Sequence, residues 1–251
     1  MKKYFSYVSI TAVILMFSFG SCTNDVPDYD GDAEGKVSKV KTLTYKDEYW
    51  EETFEFNYLD NGRVSSIINS YENTSVDYIF DWSVPGKLTV NKAGEILVYE
   101  VNTDGYVTKD PEEWGYYNVY EYDENGFLIK VTEHWDGGSE VKFEVETRNN
   151  NVMKHKRVRS GKDYEKAFEF TTGTNLCDIQ QTNPVDSYWK NQSGMYGKAS
   201  NRLLRSQTYG YVGETMTSVK LGYTFDDNRR PASITRAGTD WSETVTYTYV
   251  D

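Results

Sequence analysis

From about residue 36 onward, apolar and polar residues alternate strictly in short runs that turn residues interrupt. Phe54-Glu55-Phe56-Asn57-Tyr58 alternates, stops at Asn61-Gly62 and resumes at Val64. Tyr120-Glu121-Tyr122 does the same before Asn125-Gly126 and Phe127-Leu128. Looser copies are Tyr99-Glu100-Val101 before Asp104-Gly105, and Tyr223-Thr224-Phe225 before Asp226-Asp227-Asn228-Arg229. Phe168-Glu169-Phe170 before Asn175, and Tyr196 before Asn201-Arg202-Leu203, are degenerate members. Period two is the signature of a strand with one buried face, and Asn-Gly supplies the positive φ that a tight hairpin turn needs. One set of turns is expected near 61, 85, 104, 125, 150, 175, 201 and 228. Opposite turns fall near 49, 73, 93, 113, 137, 161, 188, 213 and 238. No long segment carries a 3.6-residue period.

The expected fold is therefore all-β, an antiparallel up-and-down meander of about 14–16 short strands in one domain spanning 36–251. A round barrel of that strand number has a lumen too wide for side chains alone to fill. The sheet should be barrel-like but flattened, partly open, or closed around a plug or ligand. Residues 176–200 have the weakest strand pattern and are the expected plug or long loop.

The first residues read as a targeting segment. Lys2 and Lys3 precede an apolar run from Val8 to Phe19, too short for a bilayer-spanning helix but suited to a secretory signal. Phe19-Gly20-Ser21-Cys22 resembles a bacterial lipobox, with Phe where Leu is commonest. That resemblance makes 1–21 a signal peptide and Cys22 the lipid-attachment residue. Residues 22–35 hold Asp25, Asp28, Asp30, Asp32 and Glu34 with Pro27 and two glycines, an extended acidic tether. Acids soon after such a Cys resemble the surface-export signal of Bacteroidetes lipoproteins; like-charge extension of a spacer explains them equally. The expected location is the cell envelope, lipid-anchored at the outer membrane, with surface exposure a compatible extension.

The aromatic-Asp-Gly-Arg order of the repeats resembles the Tyr-Asp (YD) repeats of Rhs-type proteins. Lipobox, tether and meander together resemble a Bacteroidetes envelope lipoprotein family with an uncharacterised domain of porin-like fold, over roughly 36–251. That family implies no established activity. Short strands, charge on both faces of 151–159 and a finish on Val250-Asp251 favour a lipid-tethered domain facing water over a membrane-spanning barrel.

Composition narrows the chemistry. The 27 Lys+Arg against 39 Asp+Glu leave −12, and loss of Lys2 and Lys3 with the signal takes this to −14. Nucleic acid is excluded as a generic partner by that sign. Two His and two Cys leave no metal or cofactor site, and no hydrolase elbow, zinc-protease or phosphate-loop motif occurs. His134 and His155 fall on separate strands, and Cys177 suits a small buried packing residue. In Lys154-His155-Lys156-Arg157-Val158-Arg159, a turn near 150 sets Glu146 opposite Lys154 and Glu144 opposite Lys156, so ion pairing explains the basic run more simply than anion binding. The expected function is a non-catalytic binding module for a glycan, lipid, other apolar ligand or envelope protein. The competitors are a structural or assembly component and, last, an acid-based hydrolase. Turn parity puts Trp50, Trp114, Trp135, Trp189 and Trp241 at one end with Tyr116 and Tyr188, an aromatic rim suited to stacking on sugars. Rings that only cover the core where the sheet closes are the plainer explanation.

Overall fold

In the computed structural model, residues 38–185 and 188–250 are described. The signal peptide, Cys22 and the tether lie outside them. Sixteen strands follow one another: β1 (Val40–Lys46), β2 (Glu51–Tyr58), β3 (Val64–Tyr71), β4 (Thr74–Asp81), β5 (Lys87–Lys92), β6 (Glu95–Val101), β7 (Val107–Lys109) and β8 (Tyr117–Tyr122) make the first half. The second half is β9 (Leu128–Trp135), β10 (Gly138–Arg148), β11 (Asn151–Arg159), β12 (Lys162–Thr174), β13 (Arg202–Tyr211), β14 (Thr217–Phe225), β15 (Pro231–Ala237) and β16 (Ser242–Tyr249). A five-residue helix, α1 (Tyr188–Gln192), is the helix among the described residues. Each strand pairs antiparallel with its neighbours in sequence, and β1 pairs with β16 to close the barrel. The meander expectation holds, and the sheet is neither open nor unclosed.

Alternation sorts the side chains. Phe54, Phe56, Ile67, Tyr78, Phe80, Leu88, Val90, Tyr99, Tyr120 and Val131 point inward and are buried. The outer face is mostly polar, with Ile79, Ile96, Val98 and Val158 exposed on it, and hydroxyls bond across it at Thr42–Thr248 (2.7 Å), Thr44–Thr53 (2.9 Å) and Thr224–Ser233 (2.7 Å). Lys46–Glu51, Lys130–Glu121, Lys154–Glu165 and Lys156–Glu146 pair there as well. A lipid-facing barrel needs the reverse, an apolar band outside. Glu144 and Glu146 stand opposite Lys156 and Lys154 in register, as the turn at Asn149-Asn150 dictates.

The end where β1 enters carries the repeat loops, which are longer than tight two-residue turns. At 123–127 the Asp123 N–H donates to the Phe127 carbonyl (2.9 Å), and Gly126 holds φ 85°. The Asp123 carboxylate accepts from the Asn125 and Phe127 N–H groups at 3.0 and 2.8 Å. Loops 102–106 and 226–230 repeat these bonds through Asn102 and Asp226, with Arg229 in the left-handed position that Gly occupies elsewhere. The Asp or Asn is thus a staple for the loop's N–H groups, and the Gly forms a bulge at its end. Tight turns with positive φ at both central residues occur instead at Ala93-Gly94 and Ser160-Gly161, at the opposite end, and at Asn149-Asn150.

A second repeated device lies just inside the loop end. The hydroxyls of Tyr58, Tyr122 and Tyr249 donate to the carbonyls of Val40, Val107 and Pro231 at 2.6–2.7 Å, each one strand back. Tyr223 bonds the Leu204 carbonyl in the same way, and the Trp82 indole bonds that of Val64 at 2.9 Å. The recurring aromatic residue therefore clamps adjacent strands while filling the lumen. Burial raises all four phenols well above the usual tyrosine range.

Residues 175–185 and 188–201 leave β12 at the loop end, lie within the lumen and return to β13. The turn expected near 188 is not a hairpin: Tyr188 begins α1, and no strand forms between 175 and 201 among the described residues. Cys177, Ile179, Met195 and Tyr196 of this plug join the barrel core. Buried polar side chains tie it down. Asn175 donates to the carbonyls of Ile179 and Ser200 (both 3.0 Å), and the Gln181 side chain bonds Tyr223 (3.0 Å) and the Leu204 N–H (2.8 Å). The Tyr196 hydroxyl reaches Asp110 at 2.8 Å.

Candidate functional site

The plug closes one end, so the functional question moves to the other. Four of the five tryptophans expected at that end are there: Trp50, Trp114, Trp135 and Trp241 lie at the turns 47–50, 110–116, 136–137 and 238–241. Trp189 is not. It sits on α1 inside the barrel, packed on Tyr78 and Phe80 with ring centroids 4.7 and 6.2 Å apart. Tyr188 begins the same helix, so the turn expected near 188 is a short helical segment.

The four remaining indoles have different surroundings. Trp50 stacks on Tyr71 at 3.7 Å, Trp135 lies over Gly138, and Trp241 covers Gly238 so closely that no side chain would fit there. Trp135 and Trp241 therefore shield their own hairpins, and Trp50 covers the end of β3 beside its own. Trp114 is 96% exposed and holds φ 55°, on a turn where Glu113 and Tyr116 bridge. Tyr116 beside it and Tyr49 are also exposed. A left-handed conformation costs a non-glycine residue about 1 kcal/mol or more. Burial does not repay that cost at Trp114.

Below this mouth the inward face changes character. Toward the loop end it is apolar; toward the mouth it carries Arg157, Tyr164, Lys166, Tyr209 and Arg236. Two cavities lie between this wall and the plug, of about 190 and 360 Å³, and both are bordered by Lys166 and Asn183. Arg157 lies 5.2 Å from the Phe143 ring centroid and 4.7 Å from that of Tyr164. Arg236 is engaged by Glu243 at 2.9 Å. His155 faces the smaller cavity and is 5% exposed. Burial, with Lys166 and Arg157 adding to it, holds its pKa down at about 3, against an opposing pull from the Thr182 backbone. His134, by contrast, stacks on Tyr117 at 4.9 Å on the outer face.

Another cavity of about 330 Å³ opens at the loop end, between the plug and Gly62, Trp82 and Tyr106. It contains Asp178, whose carboxyl is raised by burial while Lys39 and Lys198 pull it down. Asp104 lines the same cavity, and the charges that act on the Asp178 carboxyl are the two lysines. Cys177 beside it is buried, with its thiol pushed up to about 11 chiefly by desolvation. Such a thiol is a poor nucleophile.

Sequence reasoning missed the inner wall. The signal was present in the basic run: if Lys154 and Lys156 pair outward, the alternation sends His155, Arg157 and Arg159 inward.

The fold is that of porin-like β-barrels. It superposes on a porin-like protein from Bacteroides uniformis ATCC 8492 with TM-score 0.69 and 14% identity, over 84% of this chain and 98% of that one. A porin-like protein from Bacteroides vulgatus ATCC 8482 matches with TM-score 0.53 and 12% identity, over 85% and 99% of the two chains. No protein-family model and no curated protein matches the sequence. At such identities the likeness concerns the fold.

Proposed function

We propose that this chain is an envelope lipoprotein, anchored through Cys22, whose plugged barrel is a non-catalytic module that binds a glycan at its open mouth. The observation that carries this reading is Trp114. It stands 96% exposed in a strained conformation beside Tyr116, at the rim of an aromatic-lined lumen. An indole so placed adds nothing to the core, yet offers a flat face for stacking on a sugar ring. The porin-like fold of the two Bacteroides proteins agrees with an envelope setting. The polar outer wall suits a domain held beside the membrane in water.

Two experiments test the two halves of the reading. Cys22→Ala should leave an unlipidated precursor lacking acyl label and absent from the membrane fraction; normal fractionation with retained label would refute the anchor. Glycan-array binding by the full-length chain should weaken at least tenfold in Trp114→Ala with the melting temperature unchanged. Unchanged glycan binding, or binding only of apolar ligands, would refute the module.

A further inference from the structure

The smaller lumen cavity has a chemistry of its own. Among the described residues, three that border the two neighbouring cavities each hold a buried polar atom without a hydrogen-bond partner: His155 at Nε2, Arg157 at Nε and Asn191 at Oδ1. Buried polar groups are almost always paired, so such a concentration marks a place where something else completes the bonding. Among the described residues Arg157 makes no ion pair, and its guanidinium lies near the rings of Phe143 and Tyr164. The Nε edge of a guanidinium, used with a terminal nitrogen, matches the two oxygens of a carboxylate. Its orientation is fixed in advance by the rings, which lowers the entropic cost of binding.

His155 adds a different requirement. Its Nε2 is buried without a partner among the described residues, and in a neutral imidazole one ring nitrogen carries a lone pair. An acceptor needs a donor, so a bare anion satisfies only half of the site. The fitting ligand carries an anionic group and a hydroxyl close together on a ring that can lie against Tyr164 and Tyr209. Lys166 adds positive charge at the border of both cavities. Positive charge concentrated here, in a chain of net charge −12, is a local exception.

We propose that the cavity bounded by His155, Arg157, Tyr164 and Asn183 binds an acidic sugar, a uronate, with Arg157 on the carboxylate and His155 accepting from a ring hydroxyl. This rests on the glycan-binding reading and deepens it by naming the charge of the residue taken into the lumen. Asn191 and the larger cavity alongside receive the next sugar unit.

Calorimetric titration of the full-length chain in detergent with galacturonate and glucuronate, their methyl esters, and galactose tests it. The acids should bind on the order of ten- to hundredfold more tightly than the esters and galactose, as expected for a charge-assisted bidentate contact. Arg157→Gln should erase that preference while leaving the weak affinity for neutral sugar, and Arg157→Lys should restore only part of it. His155→Leu should weaken acid and ester alike, because it removes the hydroxyl's acceptor. Far-ultraviolet dichroism and the melting curve of each variant confirm that the barrel is intact. Equal binding of acid and ester, retained preference in Arg157→Gln, or no binding of either uronate would overturn the inference. Equal binding of acid and neutral sugar that still depends on Trp114 would leave the broader glycan reading standing without it.

Discussion

Replacing Tyr196 by Phe removes one oxygen from the contact that pins the plug to the barrel wall. Tyr196 is 1% exposed, and its ring packs edge-on against Tyr120 with centroids 4.9 Å apart, so the apolar packing survives the change. Its hydroxyl donates to Asp110 Oδ1 at 2.8 Å, while Tyr120 (2.6 Å) and Asn118 (2.9 Å) donate to Oδ2. The variant leaves the half-buried Oδ1 without this donor. Hydrogen bonds to charged groups contribute about 1.5–3 kcal/mol. For a domain of this size that is a fall in melting temperature of roughly 3–12 °C. Urea denaturation of Tyr196→Phe, Asp110→Asn and the double variant isolates the contact. The double variant should lose less than the sum of the singles, by about 1 kcal/mol or more. Additive losses, or a melting temperature in Tyr196→Phe within about 1 °C of the parent, would refute the idea that this contact fastens the plug.

Three more outcomes are expected. His155 is neutral when folded, with its pKa near 3 against an ordinary 6.5, so the unfolded chain binds the extra proton and stability falls as pH drops from about 6.5 toward 3. Urea midpoints between pH 6.5 and 5 should show that slope in the parent and lose much of it in His155→Gln; parallel slopes would refute the assignment. Gly197→Ala should destabilise far more than Gly94→Ala, because a Cβ at Gly197 meets the Gly126 carbonyl oxygen at 2.9 Å whereas none is met at Gly94; both carry positive φ, which alone costs about 1 kcal/mol. Thermal melts of the two variants decide it, and equal losses would contradict the packing. Trp189→Ala should cost about 2 kcal/mol or more and Trp114→Ala less than about 0.5. Similar melting temperatures for the two would put both indoles in the same environment.

Period-two alternation made most of the barrel legible, because each strand has one face against the lumen and one against water. The Asn-Gly sites were legible as turns and as positive φ, borne out at Gly62 and Gly126 with 81° and 85°. Their length was not, since the stapling by Asp123 or Asn102 depends on a side chain three residues before the Gly. Residues 188–192 defeated the pattern for a different reason: five residues are too few to display a helical period. Closure was likewise invisible, because nothing local in β1 or β16 records that Leu43 meets Tyr247. The inner basic wall was readable in principle. Ion pairing accounted for two of its neighbours and drew attention away from the residues between them.

The pairing of β1 with β16 makes the ring of strands continuous, with the Val250 N–H donating to the Lys39 carbonyl at 2.9 Å where the described chain enters and leaves. That seam differs from every other hairpin only in lacking a connecting loop. Where the polypeptide is cut is therefore a choice among nearly equivalent gaps, not a property of the barrel. A circular permutant that joins residues 250 and 39 through a short linker and opens at Ala93-Gly94 keeps every ladder and the plug. It also moves the ends of the chain to the mouth. Built that way, and tethered by the proposed lipid at Cys22, the same barrel would be inverted, its plugged face outward and its aromatic opening toward the membrane.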